Sequence, residues 1–230
     1  MKKIIATLLL LSLTKLFAGF YPPTTQTKVT AVNGNSITLQ SPLGVNGMSG
    51  IVVHGFDERL TAIVGYVVQS NETTALQIDS TAIIHTSLPS VKPQVRVGDS
   101  VIGGYLYGNV LLLAPNEQVY SDIVRNDDKN WIHPDIYATF LSKNSYGLPN
   151  KENLTLFAKK YQVGLVYIVK RDHAILFDPI SQSVVGQRAI NNGAMKTQFP
   201  FFMRLETIKS GMFSSLKNNG NYYQIMEAIK

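Results

Sequence analysis

Two kinds of hydrophobic spacing divide the chain. From Lys28 to Pro115, apolar and polar positions alternate in short runs, the two-residue period of half-buried strands. "TKVTAVNGNSITLQ" holds two such runs about Asn33-Gly34, a pair suited to the positive φ angles of a tight hairpin turn. "SGIVVHGF", "LTAIVGYVV" and "TALQI" follow, separated by Gly, Asp, Asn and Ser. "VGDSVIGGYLYGNVLLLAP" gives two further runs about Gly108-Asn109 and predicts a second hairpin. Six or seven short strands with turns between them predict a small closed or half-closed barrel, in which adjacent Gly103 and Gly104 suit a sharp bend.

Beyond Pro115 the period lengthens. "NEQVYSDIVRN" places Val119, Tyr120, Ile123 and Val124 on one helical face. "HPDIYATFLSKN" sets Pro134 at a helix start with Ile136, Tyr137, Phe140 and Leu141 in a stripe, and "NLTLFAKKYQ" repeats the pattern with Leu154, Phe157, Ala158 and Tyr161. Strands are predicted at Val163–Val169, His173–Phe177 and Ser183–Arg188, with "QFPFFMRLET" as a fourth. "NYYQIMEAIK" steps as a closing helix through Tyr222, Ile225, Met226 and Ile229. The expected fold class is α+β. A barrel-like module over residues 19–115 packs on a helix-plus-meander module over residues 116–230, joined only by the short turn Ala114-Pro115-Asn116.

The first residues stand outside this pattern. "MKKIIATLLLLSLTKLFA" runs from Lys2 and Lys3 through an apolar stretch to Ala18, the order of a secretory signal, so residues 1–18 are expected to be a signal peptide cut at Ala18–Gly19. The apolar stretch is too short to span a bilayer core of roughly 30 Å as a helix. Three lysines leave with the signal, so the formal charge falls from +6 to +3, which gives no charge-based case for nucleic acid. The chain contains no cysteine, which excludes disulfides, thiolate metal sites and a Cys nucleophile. An exported protein, periplasmic or held at the outer membrane or surface, with no direct membrane span, is the reading that follows.

Candidate chemistry is sparse. Asp172-His173 follows a predicted strand, and Lys170, Arg171 and Asp172 read as the solvated loop of a hairpin. His54, His85, His133 and His173 show no metal-ligand spacing, and "GMSG" (Gly47 to Gly50) falls short of a nucleophile elbow. His54 reads as a core or rim residue, His133 as part of a helix start, and Asp127-Asp128-Lys129 as a solvated loop. No catalytic residue, metal or cofactor is expected. Three segments are candidate partner contacts: "FYPP" (Phe20 to Pro23), "FPFF" (Phe199 to Phe202), for which core burial is the favoured reading, and an uncovered barrel edge.

"LLLAPNEQVY", "HPDIYATFL", "KKYQVGLVYIV" and "FPFF" resemble the N-terminal domain of the plasminogen-binding surface proteins of Helicobacter and its relatives. The resemblance implies an extracytoplasmic protein without an enzymatic role. The family members known for binding plasminogen carry a long charged region after this domain, and their recognition is tied to lysines, including the C-terminal one; here Lys230 is the candidate contact for a plasminogen kringle, the other reading being a lysine placed at a helix end where its charge favours the dipole. A looser similarity, in the "VGD" turn and "ILFDPISQSVVGQR", is to flagellar assembly protein T. That similarity implies a periplasmic component of a motor disk or ring, with envelope proteins, motor proteins and outer-membrane lipoproteins as partners. The motor-ring role is the leading expectation, and a plasminogen-binding adhesin is the alternative.

Overall fold

In the computed structural model, which describes residues 19–57, 60–79, 93–190, 196–205 and 221–230, the alternating first part closes on itself. Its strands are β1 (Thr25–Asn33), β2 (Ser36–Leu39), β3 (Ser49–Gly55), β4 (Thr61–Gln69), β5 (Thr74–Ile78) and β6 (Ser100–Gly103). They pair antiparallel in the order β1-β2-β5-β4-β3-β6, and β6 returns to β1. The Asn33-Gly34 turn forms as expected, with Asn33 opposite Ser36 and Gly34 at φ 60°. Ile37, Val52, Val67, Ala75 and Val101 are fully buried in the barrel.

The second sheet holds β7 (Asn109–Leu113), β8 (Asn130–Ile132), β9 (Leu165–Val169), β10 (His173–Asp178) and β11 (Ser183–Ala189), in the order β11-β10-β9-β7-β8. β9 to β11 form the expected antiparallel meander, while β7 runs parallel to both β8 and β9. Helices α1 (Glu117–Asn126), α2 (Pro134–Lys143), α3 (Lys151–Tyr161) and α4 (Tyr222–Ala228) lie where the longer period placed them. Their starts are set by side chains that satisfy free backbone N–H groups. Asn116 accepts from the Val119 amide, and Asn150 and Asn153 form a reciprocal capping box. The fold is therefore α+β.

Two strand expectations are corrected. β6 and β7 do not make a hairpin about Gly108-Asn109. The turn over residues 104–108, with Tyr107 N donating to Gly104 O and Asn109 N to Leu106 O, carries the chain out of the barrel and into the second sheet. Val110 to Leu113 are all fully buried, as befits a central strand covered on both faces. Residues 198–204 form no strand either. Gln198 N donates to Pro115 O and Phe202 N to Ala114 O, so this segment covers the carboxyl end of β7.

The sheet faces are covered by different parts of the chain. Register places Val110, Trp131, Leu165, Leu112, Tyr167, Leu176 and Gly186 on one face. Phe20 and Tyr21 lie over it, at centroid distances of 5.2 and 6.5 Å from Tyr167. The other face, which includes Val166 and Phe177, meets α2 and α3. Tyr137 and Phe157 pack there with tilted rings, centroids 4.9 Å apart, Tyr137 Oη donates to buried Asn153, and the Lys151 ammonium lies over the Phe177 ring.

One hydrophobic cluster runs through barrel and sheet alike. At their meeting point sits Asp178, fully buried. Its Oδ2 accepts from Ser49 N at 2.9 Å and Tyr107 Oη at 2.7 Å, and its Oδ1 from Ile180 N at 2.8 Å and Ser181 N at 3.2 Å. Burial pushes this carboxyl above its ordinary range while the donors pull the other way. Close by, a Cβ on Gly164 would stand 2.0 Å from Leu106 O and 2.7 Å from Tyr107 N, so the entry to β9 packs directly on the connecting turn.

Candidate functional site

The Asp172-His173 pair belongs to the β9–β10 turn. Lys170 N donates to His173 O at 2.8 Å, and Ile190 N donates to Asp172 O at 3.0 Å. Asp172 Oδ1 lies 2.5 Å from His173 Nδ1 with the carboxylate 85% exposed. That contact holds the Asp172 carboxyl below its ordinary value. These contacts are those of a turn, so the pair shapes a loop. The loop is not solvated throughout, however. Lys170 is only 4% exposed, because its stem is covered and its ammonium donates to Ile229 O at 2.9 Å.

The described histidines also have structural partners. His54 Nδ1 lies 2.5 Å from Asp99 Oδ1, whose other oxygen accepts from Arg96 N at 2.8 Å, which ties β3 to the turn before β6. His133 caps α2, its Nδ1 accepting from Asp135 N at 3.1 Å. Burial lowers its pKa below the ordinary 6.5, and protonation would turn the capping acceptor into a donor. The folded state therefore holds fewer protons than the unfolded chain just below pH 6.5, and the stability from this cap is lost as pH falls through the lowered pKa. Denaturant midpoints measured from pH 7.5 to 5 should fall, and His133→Asn should flatten that part of the slope. His85 lies outside the described residues, as does the whole of the expected signal peptide. Among the described residues no cluster of three or more His, Asp or Glu is arranged for a metal ion.

Two of the three candidate contact segments are corrected, and the third is resolved in favour of burial. Phe20 and Tyr21 are an internal strap. The Arg188 guanidinium lies against both rings, 4.4 Å from the Phe20 centroid and 5.3 Å from that of Tyr167. It pairs with Asp127 at 2.8 Å, and Tyr21 Oη donates to the same carboxylate oxygen at 2.9 Å. Asp127 is thus a half-buried anchor and not a loop residue in solvent, while Lys129 lies over the Tyr21 ring. Among the described residues the barrel is closed and presents no edge for strand addition. Phe201 and Phe202 are buried, as core packing requires.

In sheets with parallel strands, ligands favour the crevice beyond the carboxyl ends where neighbouring connections leave by opposite faces. Here α1 ends at Asp127 on the strap side, while α3 lies on the other. The crevice is filled by the chain itself. Phe202 packs 5.1 Å from Tyr120 and 6.2 Å from His133, and Arg204 closes over it through a 3.1 Å ion pair with Asp135. Beside it an open polar cleft of about 730 Å³ runs between α1 and residues 196–198, bordered by Glu117, Arg125 and Lys196.

The remaining candidate is Lys230. α4 is held by buried Tyr222, Tyr223 and Met226, and Tyr222 Oη lies 2.7 Å from the carbonyl oxygens of both Leu113 and Val169. Ile229 is buried and Lys230 is exposed. Around this end gather Lys170, whose Nζ is 3.8 Å from Glu227 Oε2, and Arg171, whose amide donates to Glu227 Oε1 at 3.3 Å and whose guanidinium covers Tyr223 at 5.1 Å. Burial lowers the Lys170 pKa, Glu227 raises it, and the charge of Lys230 lowers it further. Sequence reasoning reached Lys230 but missed this company, because no local pattern links residue 170 to the end of the chain.

The described residues thus define an α+β fold in which a closed barrel is joined to a mixed sheet whose crevice the chain itself fills. The chain belongs to the family described as plasminogen-binding protein pgbA N-terminal, whose model matches residues 24–229. Two relatives, both named plasminogen-binding protein PgbA, come from Helicobacter pylori strains ATCC 700392 / 26695 and J99 / ATCC 700824. Each is 31% identical over 147 residues, which is 62% of this chain and 32% of the relative. The chain spans about a third of the length of these curated relatives. No solved structure matches. The names of the relatives describe binding proteins, and they favour the adhesin reading over the motor-ring reading. No helix among the described residues is long and apolar enough to cross a membrane.

Proposed function

We propose that this chain is an exported, non-enzymatic envelope protein that binds plasminogen at the cell surface, with residues 1–18 as its signal peptide. The bodies at 19–115 and 116–230 then act as one scaffold that displays the α4 end. The observation that carries the reading is the family match over 24–229, joined to an exposed lysine at the end of an anchored helix. Lysine-reading kringle domains take an ammonium held clear of its own protein, and Lys230 meets that requirement.

The purified exported chain should be captured by immobilised plasminogen, and a soluble lysine analogue should compete with it. Lys230→Ala should weaken capture roughly tenfold, the equivalent of about 1.4 kcal/mol, with no change in melting temperature. Absence of capture by the parent chain would remove the proposal. Unchanged capture by the variant would remove Lys230 from it.

A further inference from the structure

We propose that the aromatic stripe along α2 and the end of α3 is a membrane-docking face, seated on the headgroup layer of an anionic lipid leaflet. The inference goes beyond plasminogen binding and bears on how an exported chain is held at a surface.

The stripe is continuous. Ile136 lies one turn before Phe140 on α2, the spacing that sets side chains next to each other. Phe140 is buried beneath two tyrosines, its ring centroid 5.4 Å from Tyr146 and 6.1 Å from Tyr161. Ile136, Tyr146 and Tyr161 are 43%, 38% and 40% exposed, so three large side chains about Phe140 face outward. Both tyrosines are held by ordered turns. Tyr146 N donates to Leu141 O at 3.0 Å, between left-handed Ser145 and Gly147, and Gln162 closes α3 in the same conformation directly after Tyr161. Little chain freedom is then lost when the rings dock.

Lysines rim the stripe. The Lys160 ammonium lies 6.0 Å from the Phe140 centroid and 5.9 Å from that of Tyr161, and exposed Lys143 ends α2. Among the described residues no ion pair holds either ammonium. The two helices together carry Lys143, Lys151, Lys159 and Lys160 against Asp135 and Glu152, and Asp135 is already bound by Arg204. The face is positive, so its occupant is negative. A tyrosine ring, apolar in body and polar at its hydroxyl, suits the boundary between headgroups and acyl chains, while neighbouring lysines meet lipid phosphates. An acidic polypeptide answers the lysines alone; a leaflet answers lysines, tyrosines and Ile136 together. No helix among the described residues is long and apolar enough to cross a membrane, so attachment through this face is peripheral.

The test sediments the purified exported chain with vesicles of phosphatidylcholine alone and with vesicles containing about a third phosphatidylglycerol. The chain should bind the anionic vesicles at low salt, leave them at high salt, and ignore the neutral ones. Each lysine near an anionic surface is worth roughly fivefold, so Lys143→Gln with Lys160→Gln should weaken binding about thirtyfold. Lys28→Gln with Arg96→Gln removes the same charge from the barrel and should stay within about twofold of the parent. Ile136→Ser with Tyr146→Ser should weaken binding roughly tenfold, with thermal melting as the check on folding. If the Tyr146 change uncovers Phe140 and lowers the melting temperature, Ile136→Ser alone serves, with a loss of about threefold. Equal binding by the lysine and barrel variants, or no binding by the parent chain, would overturn the docking face. Binding to immobilised polyglutamate but not to vesicles would overturn it in favour of an acidic protein partner. Concentration-dependent self-association that Ile136→Ser abolishes would overturn it in favour of a second copy. Plasminogen takes no part in these measurements, so their failure leaves that reading standing.

Discussion

Replacing Asp178 with alanine should lower stability by about 3–5 kcal/mol, enough to shift the melting temperature by roughly 6–20 °C in a chain of this size. The carboxylate gathers four donors, and two of them, Ser49 N and Tyr107 Oη, come from outside the sheet that carries Asp178. Alanine leaves those donors in a region that excludes water, where each unsatisfied group costs about 1–3 kcal/mol. Relief of the carboxylate's own desolvation offsets part of the loss, which is why the net figure falls below the sum. Asp178→Asn keeps one acceptor oxygen and should lie between the two. Denaturant melts followed by tryptophan fluorescence, with Trp131 as the single reporter, would check both; a shift under 1 kcal/mol for the alanine variant would show that water or a local shift satisfies the donors.

Gly164→Ala should cost at least about 3 kcal/mol, at or beyond the upper end of the usual penalty for overpacking. A methyl group there meets the Leu106 carbonyl carbon at 2.2 Å and its oxygen at 2.0 Å, and both belong to backbone. No rotamer can relieve the clash, so β9 or the 104–108 turn must move. Both are pinned: Gly164 N donates to Asn109 O at 3.0 Å, and Tyr107 is bound to Asp178. Gly108→Ala is the matched control. The nearest atom to its added methyl is the Asn130 side-chain nitrogen at 3.8 Å, and the change should be close to neutral. Equal denaturant midpoints for the two variants would refute the packing account.

How much of this was legible beforehand depended on whether the signal was local. The hairpin at Asn33-Gly34 and the starts of α1 to α3 were readable because turn chemistry and capping act between near neighbours. β7 was misassigned since Gly-Asn is a good turn pair and a strand follows it. Its unbroken run Val110 to Leu113, apolar on both faces, was the mark of a central parallel strand and pointed away from an alternating barrel strand. β8 has only three residues, below the length at which any period shows. Lys170 and Asp127 were read as solvated because charge in a loop is usually so. What buries them is Ile229 in one case and Arg188 with Tyr21 in the other, and those contacts cross most of the sequence. The Lys230 end was visible as an exposed cation, whereas the pairing of Lys170 with Glu227 beside it depends on the docking of α4.

The Phe20–Tyr21 strap bears on the order of events during synthesis. A polypeptide made amino end first presents these two rings early, yet their seat includes Asp127, 106 positions after Tyr21, and Arg188, which follows later still. Contacts of such span form late and slowly. The leading rings must therefore wait unburied, a window in which a chaperone or a protease would meet them first.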